Sequence, residues 1–234
     1  MIRCAIFDAD GTLLDSMPMW RDITYEYAEQ KGVRAPAGLH NTLNRLSLEQ
    51  CAAYYQGLGV PGTVEEIAGE LGRCALEGYR ARVGEKPHAR EFLELLHENR
   101  IPVAVATASN REGVLAALER LGMLPFVDLF ATCGEVGKSK EHPDIFLHCA
   151  ARFGATPRES VVFEDSAYAI RTAKAAGFSV VAIEDAISTQ GKGRGETPEA
   201  MASIANLYLR DYGELIGRLT PEEDLALGLH GLLG

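Results

Sequence analysis

Two aspartates flank a single residue in Asp8-Ala9-Asp10, and Gly11-Thr12 follows at once. Paired carboxylates at such a turn are candidates for chemistry. The glycine behind them permits a sharp turn. An Asp-rich turn without chemistry is the alternative. Ala106-Thr107-Ala108-Ser109 offers a hydroxyl and backbone N–H groups that could cradle a phosphate, although a helix cap would look the same. Lys138 and Lys140 stand just ahead of Pro143-Asp144. Either could meet a phosphate charge or be a solvated surface lysine. Gly137-Lys138-Ser139 also hints at a P-loop, but the motif's leading glycine would fall on Thr132, which rejects it. Glu164-Asp165 pairs two acids suited to a hard cation such as Mg²⁺, with Asp165 as a helix N-cap the competing reading.

These segments follow short apolar runs. Arg3–Phe7, Val103–Ala106, Asp128–Thr132, Ser160–Phe163, Ser179–Ile183 and a weaker Leu207–Leu209 read as strands. Several are continuous rather than alternating, as strands covered on both faces are. Between them lie apolar stripes at helical spacing: Phe92, Leu95 and Leu96; Val114, Leu118 and Leu121; Ile145, Cys149 and Phe153; Ile170 and Ala173. Gly122, Gly154 and Gly177 sit where such helices would end. Alternating strand and helix predicts an α/β fold, a Rossmann-like three-layer core around a parallel sheet. The loaded segments then fall at the carboxyl ends of strands, where open parallel sheets place their ligand sites.

Residues 17–84 show no clear strand and read as helices broken by Gly32, Pro36, Gly38, Gly57, Gly59, Pro61 and Gly62. The expected organisation is a discontinuous α/β core, residues 1–16 and 85–234, interrupted by a helical cap domain, residues 17–84. Thr189–Glu196, Gly-rich and polar, reads as a loop. The chain has 234 residues, 47% of them hydrophobic, enough for a proper core. Its formal net charge is −10, and no run of Lys or Arg offers a patch for nucleic acid or an anionic membrane. No apolar run approaches the roughly 20 residues that span a bilayer, and the amino-terminal segment does not read as a signal peptide. Five scattered cysteines suit reduced thiols. A soluble, cytoplasmic protein is expected.

In this order the motifs resemble those of the haloacid dehalogenase-like superfamily, in its phosphatase branch. Asp8–Ser16 matches D-x-D-G-T-L-x-D-S, Thr107 the Thr/Ser motif, Lys140 the lysine motif and Glu164-Asp165 the acidic motif. The resemblance covers roughly residues 1–16 and 85–210. It is closest to members with a helical cap after the first motif, such as phosphoglycolate phosphatase and β-phosphoglucomutase. Lys140-Glu141-His142-Pro143-Asp144 departs from the usual K-P-x-P-D, yet Pro143-Asp144 sets the register on Lys140 rather than Lys138.

The resemblance implies a Mg²⁺-dependent phosphatase acting on a small phosphate monoester. Asp8 would form an aspartyl-phosphate and Asp10 would serve as general acid and base. Mg²⁺ would be held by the Asp8 carboxylate, the Asp10 carbonyl and Asp165, with Glu164 acting through a water. Lys140, the Thr107 hydroxyl and the Ala108 N–H would bind phosphate. Trp20 and Arg45 would line the substrate entrance, and Met17 and Met19 would either line it too or pack the hinge and cap. A mutase of the β-phosphoglucomutase type is the rival. Such mutases carry a histidine and a cap arginine where this chain has Trp20 and Leu48. Phosphonate cleavage would need a cap lysine facing the site, and the cap's only lysine is Lys31. True dehalogenases lack the second aspartate, present here as Asp10. A non-catalytic relative would normally have lost a nucleophile or a metal ligand.

Overall fold

A computed structural model describes residues 1–43, 46–185, 197–219 and 225–233. The chain divides into two compact units, Met1–Asp15 with Gly84–Gly234, and Ser16–Val83. Arg45 and the Thr189–Glu196 loop lie outside the described residues.

Among the described residues, the first unit is built on a six-stranded parallel sheet. Its strands are β1 (Cys4–Phe7), β4 (Val103–Thr107), β5 (Leu129–Thr132), β6 (Ser160–Glu164), β7 (Ser179–Ile183) and β8 (Leu207–Leu209), in the order β5-β4-β1-β6-β7-β8. A separate antiparallel pair joins β2 (Leu14–Asp15) to β3 (Gly84–Glu85). The helices of this unit are α5 (Ala89–Glu98), α6 (Arg111–Arg120), α7 (Cys133–Val136), α8 (Asp144–Arg152), α9 (Ala167–Ala175), α10 (Pro198–Ile204), α11 (Tyr212–Ile216) and α12 (Leu225–Leu233).

Continuous apolar strands have a physical cause here: both faces of the sheet are covered. Cys4, Ile6, Ala104, Ala106, Val162 and Val180 pack with Ile145, Phe146 and Ile170 of α8 and α9. Phe7 and Phe163 point the other way. Their rings stack at 4.3 Å, and Phe92 of α5 meets Phe163 edge-on at 5.5 Å. This is the Rossmann-like three-layer architecture expected from the pattern. Gly122, Gly154 and Gly177 all take positive φ, between 64° and 92°, just past the ends of α6, α8 and α9. That backbone region is open to glycine without a Cβ penalty.

The second unit is helical: α1 (Met17–Gln30), α2 (Leu39–Leu43), α3 (Leu48–Gly57) and α4 (Val64–Ala81). Ser47 and Thr63 form capping boxes with Gln50 and Glu66 at the starts of α3 and α4. Tyr27, Ala28, Leu39, Leu43, Ala52, Tyr55, Ile67 and Leu71 make its own core. The Tyr27 hydroxyl donates to Glu70 at 2.6 Å, and Tyr55 donates to the Thr24 carbonyl at 2.7 Å. Among the described residues, no helix is long and apolar enough to cross a membrane.

Candidate active site

Register places the candidate residues. Phe7 pairs with Val105 on one side and Phe163 on the other. Asp8 therefore emerges at the carboxyl edge between the ends of β4 and β6. Its N–H donates to the Phe163 carbonyl at 2.9 Å, which keeps this edge in register one residue past the strand. The chain then folds back on itself. Leu13 N–H and Leu14 N–H reach the Ala9 carbonyl at 3.0 and 2.8 Å, and Gly11 N–H reaches the Leu14 carbonyl at 2.8 Å. Gly11 has φ +82°, and a Cβ there would overlap the Asp165 carboxylate. The glycine thus meets both a backbone requirement and a close approach.

Lys140 answers the choice between the two lysines. Lys138 is exposed, whereas Lys140 is 3% exposed and its ammonium lies against the carboxylates of Asp8 and Glu164. Its Nζ donates to Asp8 Oδ1 and, at 2.7 Å, to Glu164 Oε1. The other Glu164 oxygen accepts from Ser166 N–H at 2.9 Å. Asp165 does not cap α9. Ser166 occupies that position, and Asp165 Oδ1 accepts from the Ser166 hydroxyl at 3.2 Å.

Asp8, Glu164 and Asp165 are all buried, and each offers a carboxylate oxygen within 4.8 Å of the others. One ammonium does not balance three carboxylates. Burial first, and then the charges of Glu164 and Asp10, push the Asp8 carboxyl up to about 8 despite the nearby lysine. Burial, with Glu164 and Asp8, likewise raises Asp165 well above the usual range. Burial opposes the charge on Lys140, but Asp8 and Glu164 outweigh it and keep the amine protonated above its ordinary range. An all-oxygen donor set with surplus negative charge is what a hard divalent cation requires, and these residues could hold one.

Thr107 ends β4, 1% exposed, and its Oγ1 accepts from Ser109 N–H at 3.0 Å. Asn110, rather than Thr107 or Ser109, caps α6, accepting from Glu112 and Gly113 N–H. Ala108 and Ser109 instead line a surface hollow of ≈ 380 Å³. Trp20 sits on α1 in the helical unit, edge-on to Tyr79 at 6.1 Å. Met19, which could serve an entrance or cap packing, is buried: a Cβ on Gly78 would come within 2.6 Å of its sulfur. It serves helix packing inside that unit.

Three residues near these segments carried no local signal. Lys86 and Asp185 form a buried ion pair at 3.1 Å, and Tyr212 donates from its hydroxyl to the Thr12 carbonyl at 3.2 Å. Each contact joins distant parts of the chain.

A parallel sheet that collects a buried lysine and three carboxylates at its carboxyl edge defines an α/β enzyme. Comparison with known proteins narrows the class. Residues 2–177 match the profile of haloacid dehalogenase-like hydrolases, so the chain belongs to that family. It is 31% identical over 217 residues to a probable pseudouridine-5'-phosphatase of Drosophila melanogaster, covering 89% of this chain and 92% of that one. It is 30% identical to the fructose-1-phosphate phosphatase YqaB of Escherichia coli, covering 75% and 93%. Among solved structures, a HAD hydrolase of family IA, variant 3, from Entamoeba histolytica superposes with TM-score 0.76 at 21% identity, covering 97% of this chain and all (100%) of that chain.

Proposed function

We propose that this hydrolase removes phosphate from a small phosphate monoester, a phosphorylated sugar or similar organic phosphate, through an aspartyl-phosphate on Asp8. The observation that carries the reading is the buried convergence of Asp8, Lys140, Glu164 and Asp165. Phosphoryl transfer is mostly positioning and charge stabilisation, which such a cluster can supply. The relatives named as a pseudouridine-5'-phosphatase and a fructose-1-phosphate phosphatase support a small organic phosphate as the substrate class.

In the first half-reaction an Asp8 carboxylate oxygen bonds to phosphorus as the ester P–O bond breaks. The leaving oxygen takes a proton from the Asp10 carboxyl. In the second, Asp10 accepts a proton from water, whose oxygen attacks phosphorus and releases inorganic phosphate, restoring Asp8. Lys140 neutralises phosphate charge and holds Asp8 in place. Glu164, with both oxygens engaged by Lys140 and Ser166, orients that lysine. Thr107 accepts from Ser109, so its own hydroxyl proton can serve a phosphate oxygen, beside the Ala108 N–H. Asp8, Asp165 and the Asp10 carbonyl would hold Mg²⁺, with Glu164 acting through a water. When bound, the ion offsets repulsion between the phosphate and Asp8. Trp20 and Arg45 are assigned to substrate choice on their sequence positions.

Two rivals fit less well. Trp20 offers no titratable group where a mutase has histidine. Lys31 lies 2.6 Å from Glu70, committed to an ion pair within the helical unit rather than available for a Schiff base.

The test is phosphate release from a panel of phosphorylated sugars, glycolate, glycerol and nucleotides, with and without Mg²⁺. Turnover of at least one ester, absent after EDTA treatment and restored by Mg²⁺, is expected. No turnover on any ester, or full turnover in metal-free buffer, overturns the reading.

A further inference from the structure

The residues that act on a phosphate come from the first fifteen positions, from strand ends and, for Lys140, from the segment before α8, but the loop carrying Asp10 is tied down from far along the chain. Tyr212 opens α11 and is fully buried. Its ring lies 5.4 Å from that of Phe92 at an interplanar angle of 22°, with Phe163 and Phe7 at 6.0 and 6.3 Å. A phenol held on these sides has little rotational freedom, so its hydroxyl is aimed. It donates to the carbonyl of Thr12, itself fully buried, two residues past Asp10.

The same residue also holds the returning chain. Tyr212 N–H donates to the Pro87 carbonyl at 3.3 Å, and Lys86 N–H donates to the Leu13 carbonyl at 2.9 Å. The start of α11 is pressed close to this segment: a Cβ on Gly213 would lie 2.9 Å from His88 Cδ2. Tyr212 therefore grips the turn before β2 at Thr12 and the turn after β3 at Pro87. Between them the loop closes through its own bonds, Gly11 to Leu14 and Leu13 to Ala9, and Asp10 forms a bridge with Leu14.

We propose that Tyr212 is a positioning residue, whose hydroxyl on the Thr12 carbonyl fixes the loop that presents the Asp10 carboxyl to the leaving oxygen. The inference rests on the phosphatase reading above. The proton delivered by Asp10 matters in proportion to how poor the leaving group is. A p-nitrophenolate departs without help, whereas a phenolate or an alkoxide needs the proton as the P–O bond breaks. Burial, and then the charges of Asp8 and Asp165, raise the Tyr212 phenol, so the hydroxyl remains a donor.

The deciding variant is Tyr212→Phe, which keeps the ring and deletes one hydroxyl. kcat/KM is measured with p-nitrophenyl phosphate, phenyl phosphate and an alkyl phosphate such as glycerol phosphate, at a temperature where thermal melts show the variant folded. The expected result is a small loss with p-nitrophenyl phosphate, about twofold, and a roughly tenfold or greater loss with the poorer leaving groups, a fraction of what general acid catalysis typically contributes. In an Asp10→Asn background the same substitution should add no further selective loss. Equal losses on all three esters would assign Tyr212 to fold stability alone, and unchanged rates would deny it any role. Either overturns the inference while leaving the phosphatase reading intact. Failure of the wild-type protein on every ester would overturn both.

Discussion

Lys140 Nζ and Glu164 Oε1 stand 2.7 Å apart with side chains only 3% and 1% exposed, so a buried carboxylate holds the lysine that also touches Asp8. Breaking such an arrangement from one side is costly, because it strands the opposite charge away from water. Lys140→Met is expected to destabilise the metal-free protein by about 3–5 kcal/mol at pH 8, and to abolish most phosphatase turnover. Urea unfolding reads the first effect. The loss should shrink at pH 5, where protonation of Asp8, whose carboxyl is raised to about 8, relieves part of the stranded charge. A variant as stable as the parent at pH 8 would mean water reaches the cluster.

Asp8→Asn separates chemistry from folding. The amide cannot attack phosphorus, so kcat should fall by roughly three orders of magnitude or more, as for other covalent nucleophiles. One surplus buried charge also disappears, and Lys140 still has Glu164. The thermal midpoint of the metal-free variant at pH 8 should therefore be at or above that of the parent. Near-normal turnover, in a preparation free of parent enzyme, would reject Asp8 as the nucleophile.

Stability should depend on pH in a direction set by the cluster. Asp8 is raised in the folded state to about 8 from an ordinary carboxyl value, and Asp165 is raised as well. Between those limits the folded protein binds more protons than the unfolded chain, so stability falls as pH rises. Lys140, raised above its usual value, loses its contribution only at far higher pH. Metal-free protein should lose at least about 1 kcal/mol from pH 5 to 8, roughly 2–4 °C in Tm for a chain of this size. Mg²⁺ should flatten the slope. A metal-free Tm that is flat or rises over this range would show the carboxyls to be compensated already.

Gly11 tests the metal site from the backbone. Gly11→Ala puts a methyl against the Asp165 carboxylate and strains a φ of +82°. Apparent Mg²⁺ affinity, titrated by activity or calorimetry, should drop by roughly tenfold or more, the scale seen when groups supporting metal ligands are disturbed. Asp165→Ala should weaken it further. Ca²⁺ should support little turnover with the parent protein, because its looser shell misplaces the phosphate. Unchanged Mg²⁺ affinity in both variants would remove Asp165 from the ligand set.

Much of this was readable from local pattern. The strands at Ser179–Ile183 and Leu207–Leu209 occur where apolar runs place them, and the resemblance of Lys140–Asp144 to the family's lysine motif selects Lys140 over Lys138. What local pattern misses is pairing between distant residues. The β2–β3 pair is two residues long on each side, too short to show alternation. Lys86 and Asp185 lie 99 positions apart, and Tyr212 and Thr12 lie 200 apart. Met19 admits two readings for a related reason. An apolar residue after the first motif suits an entrance or a helix interface equally, and only the approach of Gly78 decides it.

The antiparallel pair Leu14↔Glu85 and Asp15↔Gly84 brings the two chain crossings side by side. To the α/β unit, everything from Ser16 to Val83 is topologically one long hairpin loop, entered and left at adjacent points. Closure entropy rises only slowly with the length of such a loop, and the paired stems already fix its ends. Residues can thus be gained, lost or exchanged in the helical insert without shifting the register of the strands behind Asp8, Lys140 and Asp165. Such a junction lets an insert diverge on its own evolutionary schedule while the machinery of the α/β unit stays unchanged.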